Sequence, residues 1–178
     1  MAGAATFQNL SAATCDVAGV SEIRGNQDAK GMSFGIVVSR FHTELTTQLV
    51  RDAVSILIEN GAAAEHIEVV WVPGAFEIPS VIRPLAESRR HNALIALGAV
   101  VRGKTSHADS IVHAITVSLG EIAREFTVPV IDTVVAAPSY ALAEERCRSG
   151  AQSRGTYAAC AAIEMASVFQ RLAATGGA

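Results

Sequence analysis

Four stretches of this sequence carry residues able to grip a small polar molecule. Arg40-Phe41-His42 puts an aromatic just past an apolar run, where the Phe41 ring can stack on a flat heterocycle or pack against its own helix. Val72-Pro73-Gly74-Ala75-Phe76-Glu77-Ile78-Pro79 makes a tight turn in which Gly74 and Ala75 let a ligand approach the backbone. The free amides that open the next helix can hold a carbonyl. Phe76 is a second stacking candidate, and Glu77 suits the positive end of that helix. In Gly98-Ala99-Val100-Val101-Arg102-Gly103-Lys104-Thr105-Ser106-His107, the amides from Gly103 to Ser106 precede a helix and form a phosphate seat. The spacing is not that of a Walker loop. His107 at the helix start favours a neutral, proton-accepting imidazole. Arg146 and Arg154 can supply a guanidinium fork opposite such a seat, whereas Arg148 reads as a solvated edge. Chain order alone brings neither arginine to the third loop. His66 and His91 lie in turns, and His113 points away from His107. No pair has ligand spacing, so no metal is expected.

The elements that must position these loops alternate. Buried-strand runs are expected at residues 34–39, 67–72, 93–99 and 128–135, separated by helices at about 44–60, 78–88 and 107–125. Two further helices follow at about 140–148 and 156–173. Thr43, Ser106 or Thr105, and Ser139 are the expected N-caps, and Gly61 ends the first helix. Pro84 should kink the second helix or delay its start. The order predicts a single-domain three-layer α/β/α sandwich on a four-stranded parallel sheet, with ligands at the carboxyl ends of the strands. That rule singles out four loops, Arg40 to Thr43, Pro73 to Glu77, Val100 to His107 and Val135 to Ser139.

The chain has 178 residues, enough to bury one substantial core, and a net charge of −3, without the basic excess of a nucleic-acid binder. No apolar run spans a bilayer. Three widely spaced cysteines, Cys15, Cys147 and Cys160, fit reduced thiols in a cytoplasmic protein rather than a disulfide framework. Residues 1–20 lack periodicity and any signal-peptide pattern, and are expected to be a disordered tail ahead of one domain over 21–178.

Val-Pro-Gly-Ala-Phe-Glu-Ile-Pro at 72–79, the Gly-x-x-x-Arg-Gly-x-Thr-x-His pattern ending at His107, and Ala162-Ile163-Glu164-Met165-Ala166 together resemble lumazine synthase, a transferase of riboflavin biosynthesis. The resemblance runs from about Ile23 to Phe169. It implies a flavodoxin-like fold, with an N-terminal strand added from or to a neighbouring subunit. It also implies condensation of 5-amino-6-(D-ribitylamino)uracil with 3,4-dihydroxy-2-butanone 4-phosphate, without metal or organic cofactor. Family members are homopentamers, some assembled into an icosahedral sixty-subunit shell, with each site shared between adjacent subunits. The resemblance implies stacking by Phe41, ribityl binding by Ala75, Phe76 and Glu77, and pyrimidine contact from Val100 and Val101. It further implies a phosphate seat from Gly103, Lys104 and Thr105 closed by Arg146, and proton transfer at His107. Arg154 stands where a lysine is common.

Departures gather on the half of the site that a neighbour would donate. Asp132 takes the position of an aromatic that packs on the pyrimidine, and an aspartate cannot stack. Ala136-Ala137-Pro138-Ser139 replaces a Thr-Thr-acid-Asn run. Gly150, Tyr157 and Ala108 stand where lysine, aspartate and an aromatic are frequent. These departures motivate a second reading, a turnover-impaired flavin- or lumazine-binding or shell-forming relative. Composition alone also permits an unrelated flavodoxin-like nucleotide binder.

Overall fold

The computed structural model describes residues 17–103 and 107–175. The expected Lys104–Thr105 part of the phosphate seat, the Ser106 or Thr105 cap, Cys15 and most of the expected tail lie outside these residues. Four strands, β1 (Phe34–Ser39), β2 (Ile67–Val72), β3 (Ala93–Val101) and β4 (Val130–Ala137), form one parallel sheet in the order β2-β1-β3-β4. Five α-helices accompany them: α1 (Thr43–Glu59), α2 (Ile78–Glu87), α3 (His107–Phe126), α4 (Tyr140–Cys147) and α5 (Arg154–Thr175).

The sheet divides the core in two. One half packs Phe34, Ile36 and Val38 of β1 with Leu49 and Leu57 of α1 and with Ala159, Ala162 and Ile163 of α5. The other packs Val37 and Leu94 with Ile78 and Ile82 of α2 and Ile115 and Leu119 of α3. β1 is buried along its whole length, which is why its sequence is an unbroken apolar run without alternation. The three-layer architecture read from the alternating elements is therefore the observed one.

Several boundaries differ from the sequence expectation. β3 continues two residues past Ala99, and β4 runs from Val130 to Ala137 instead of 128–135. Val128-Pro129 precedes the strand because proline has no N–H for the ladder, although the Pro129 carbonyl still accepts from Leu94 N at 2.8 Å. Thr43 is the first residue of α1, not its cap. The N-cap is His42, held in the left-handed region at φ 58°, and the Thr43 hydroxyl turns back to the Arg40 carbonyl. α2 starts at Ile78 as expected and runs through Pro84. Proline costs about 3 kcal/mol inside a helix, and the burial of Ile78, Ile82 and Leu85 on one face opposes that cost. α5 starts at Arg154, two residues early. Ser139 caps α4 as expected, its Oγ accepting from Leu142 N.

At the amino end of the sheet, opposite the candidate loops, the His91 side chain is only 5% exposed, with Nε2 3.1 Å from Glu68 Oε2 on β2. Burial holds the imidazole below its ordinary value, outweighing the attraction of Glu68, and Arg90 pushes the same way as burial. The unfolded chain thus takes up this proton more readily than the folded one. Its contribution to stability is complete above the unfolded value of about 6.5 and is lost as pH falls through the lower folded value. Urea midpoints at pH 7.5 and 5.5 should fall further apart in the unmodified protein than in His91→Gln. Equal separations of the midpoints in the two proteins would remove His91 as the cause.

Candidate active site

The carboxyl ends of β1, β2 and β3 enclose a cavity of about 630 Å³. β1 delivers Phe41 and His42 into it through the loop to α1. Phe41 is 67% exposed, and its ring stands edge-on to His42 at 4.9 Å. The left-handed backbone at His42 gives the loop this shape, and Tyr140 of α4 backs His42 at 5.7 Å. The Tyr140 hydroxyl donates to Glu44 Oε2 at 3.1 Å. Reading the sequence did not single out His42. No residue pattern announces a left-handed histidine, because the conformation is imposed by the chain on either side.

β2 delivers the Pro73-Gly74 turn, followed by a single 3₁₀ turn, Ala75–Glu77, that feeds α2. At Gly74 the turn comes close to the flexible end of the Glu77 side chain, so an added Cβ would displace that carboxylate and not the backbone. A Cβ there would lie 2.8 Å from Glu77 Oε2. Glu77 is the N-cap residue of α2 but makes no side-chain capping bond, so its carboxylate is available to the cavity it lines. Phe76, 59% exposed, stands beside it. Gly98 in β3 lets this turn settle on the sheet, since a Cβ there would meet Ser39 Oγ at 3.2 Å and Ala75 Cβ at 3.4 Å.

β3 contributes Val100, Val101 and Gly103, and His107, the first residue of α3, faces the same cavity. Arg102 Nη2 lies 2.7 Å from Asp109 Oδ1, an ion pair between the residue that follows β3 and the first turn of α3. Both residues were missed from sequence, where Arg102 served only as part of a motif. A smaller cavity of about 270 Å³ shares Val100 and Ala108 with the first and is also lined by Arg102, Asp109, Ala136 at the end of β4 and Pro138 just beyond it.

The cavity therefore gathers Phe41, Ala75, Phe76, Glu77, Val100, Val101, Gly103 and His107 from three separate loops. Of the expected site residues that are described, three do not line it. Arg146 is exposed in the last turn of α4. Arg154 opens α5, with its guanidinium over the Tyr157 ring at 5.5 Å. Asp132 lies on the edge strand β4, where Oδ2 accepts from Thr116 Oγ1 at 2.7 Å and Oδ1 from Val134 N at 3.1 Å. Among the described residues no group of three or more His, Cys, Asp or Glu side chains is arranged to hold a metal ion.

A family model for 6,7-dimethyl-8-ribityllumazine synthase matches residues 31–170. The chain is also 38% identical over 148 residues to the 6,7-dimethyl-8-ribityllumazine synthases of two Clostridium kluyveri strains, an alignment covering 83% of this chain and 96% of each relative. The chain belongs to the 6,7-dimethyl-8-ribityllumazine synthase family. The matched span contains every residue of the cavity, and it also contains Asp132, Arg146 and Arg154, the three that stand apart from it. A lumazine synthase fold thus accounts for the parallel sheet and for the position of the cavity at its carboxyl edge. No described helix is long and apolar enough to cross a membrane.

Proposed function

We propose that the chain condenses 5-amino-6-(D-ribitylamino)uracil with 3,4-dihydroxy-2-butanone 4-phosphate to give 6,7-dimethyl-8-ribityllumazine, phosphate and water, the penultimate step of riboflavin biosynthesis. The single observation that carries this reading is the convergence of Phe41, Glu77 and His107 on one cavity within the family's matched span. The Phe41 ring stacks on the pyrimidine, and Val100 and Val101 pack on its edge. Ala75, Phe76 and Glu77 hold the ribityl chain, with Glu77 accepting from its hydroxyls. Gly103, Lys104 and Thr105 seat the phosphate.

The nucleophile belongs to the substrate, so no activated serine or cysteine is needed. The primary amine of the uracil attacks the ketone and water leaves to form an imine. Phosphate is then eliminated, and the ribityl-bearing nitrogen closes the ring with loss of a second water. Holding two substrates in register supplies most of the acceleration. His107, at the mouth of the phosphate seat, moves protons during imine formation and elimination. Replacing it with alanine should lower turnover by about a hundredfold, the low end for a general acid–base group, because the substrate amine and water can substitute. Single-turnover rates check this, and an unchanged rate would remove His107 from the chemistry.

Arg146 and Arg154 lie on α4 and α5, outside the cavity of their own chain. We therefore assign them, with Asp132, to the half of the site that one subunit donates to its neighbour in a homopentamer, free or built into an icosahedral shell. Residues 21–178 form one domain in this reading, and the edge strands β2 and β4 are where an added N-terminal strand would pair. We assign the enzyme to the cytoplasm, with small-molecule substrates and neither nucleic acid, membrane, metal nor cofactor as partner. The test is lumazine absorbance from both substrates against an enzyme-free control, together with sedimentation. Acceleration by a pentamer or larger particle is expected. A fully active monomer would overturn the shared site, and a rate equal to the control would leave a binding or shell-forming relative.

A further inference from the structure

We infer that Asp52, a buried carboxylate on α1 away from the cavity, is a positioning residue for Arg146 and Arg154. The inference rests on the reading of those two arginines given above. Asp52 flanks the apolar stripe of Leu45, Leu49, Ala53 and Leu57, yet it is only 9% exposed. Its Oδ1 accepts from Gln48 Nε2 at 2.8 Å and from Ser149 Oγ at 2.9 Å. Its Oδ2 is buried with no hydrogen-bond partner among the described residues. A buried carboxylate with one oxygen unsatisfied opposes folding, so packing alone does not account for it. What it holds does.

Ser149 lies in the turn between α4 and α5, with Arg146 on one side and Arg154 on the other. That turn closes on itself. Gly150 adopts φ 122°, and its carbonyl accepts from Ser153 N at 2.9 Å and Thr156 Oγ1 at 3.0 Å. These bonds shape the turn but do not attach it to the rest of the chain. The Ser149–Asp52 bond does so, on the same side of α1 where Gly155 presses against Leu49. Asp52 thereby fixes the turn against α1, and with it the relative placement of the two guanidinium groups. Its charge also acts on the neighbouring Cys147, whose thiol burial and Asp52 together push up to about 11, so that this sulfur stays protonated.

Steady-state kinetics with the ketone phosphate as varied substrate test the assignment. Asp52→Ala should raise KM for that substrate about tenfold with kcat nearly unchanged, since a misplaced binding group costs chiefly affinity. Ser149→Ala, which removes the same bond from the exposed side, should reproduce the effect if Asp52→Ala does not fold. Asp52→Asn keeps an acceptor for Ser149 and should restore KM. In an Arg146→Ala background the Asp52 substitution should add little. An unchanged KM in both Asp52→Ala and Ser149→Ala, with normal turnover by the unmodified chain, would overturn the inference. So would a full additional loss in the Arg146→Ala background, which would reduce Asp52 to a stabilising contact. Absence of lumazine formation by the unmodified chain would instead defeat the functional reading itself, and the inference with it.

Discussion

Replacing Arg146 with alanine is expected to raise KM for the ketone phosphate about a hundredfold while leaving the folded protein as stable as before. The two halves of this expectation come from different features. Arg146 is exposed, ends α4 and forms no ion pair among the described residues, so the fold loses only a favourable placement near a helix carboxyl end. Its contribution belongs to the ligand. A guanidinium that grips phosphate through two parallel hydrogen bonds is worth about 2–3 kcal/mol, which is the hundredfold loss. Arg146→Lys keeps the charge but loses the fork, so it should fall between the two. Subunit mixing makes the test sharper. Arg146→Ala and Phe41→Ala damage opposite halves of a shared site, so each homo-oligomer should be impaired while co-assembled mixtures recover activity at sites built from two intact halves. If mixtures stay as inactive as their parents, the two residues serve one subunit and the arrangement proposed here is wrong. A normal KM in Arg146→Ala would remove the arginine from the phosphate seat.

The cavity at the carboxyl edge was legible for a physical reason. In a parallel sheet the strands are apolar on both faces, so β1 and β2 stand out from the polar loops at their carboxyl ends, and those loops are where ligands bind. Legibility fails where side-chain chemistry is neutral. Ala136 and Ala137 read as loop but close β4, because alanine favours neither state and pairing with Val100 and Val101 decides. Nothing in the local sequence singles out Asp52, which sits beside the apolar stripe of α1. It is buried because a turn about a hundred residues later folds over it, which no local pattern encodes. Arg146 and Arg154 were recognised by type, but neither lines the cavity of its own chain, and neither strand order nor helix period could bring them to it. Asp132 was read as a missing aromatic. Its bonds to Thr116 and Val134 give the carboxylate a defined place on the β4 edge.

Gly155→Ala should destabilise the protein by about 2 kcal/mol, even though alanine is the better helix former. Gly155 is the second residue of α5, where exchange for alanine would gain about 1 kcal/mol in an isolated helix. Here a Cβ would collide with the Leu49 carbonyl of α1 and come 3.0 Å from Asp52 Cβ. The obstruction is backbone, so no rotamer change relieves it, and α1 and α5 must separate. Their contact is built on small residues, with Ala158, Ala159 and Ala162 fully buried close behind Gly155, so separation loosens the packing along the helix. Overpacking of this kind costs about 1–3 kcal/mol, and at a backbone contact the upper part of that range outweighs the propensity gain. A domain of this size should then melt about 5 °C lower at fixed protein concentration. Gly103→Ala serves as the stability control, since a Cβ there meets nothing within 4 Å. Should Gly155→Ala melt at or above the unmodified protein, helix propensity has won, and α1 and α5 do not approach as closely as described. Because Arg154 precedes Gly155 and Ser149 is tied to Asp52, the same separation should also weaken binding of the ketone phosphate, joining the packing of α1 on α5 to the site it serves.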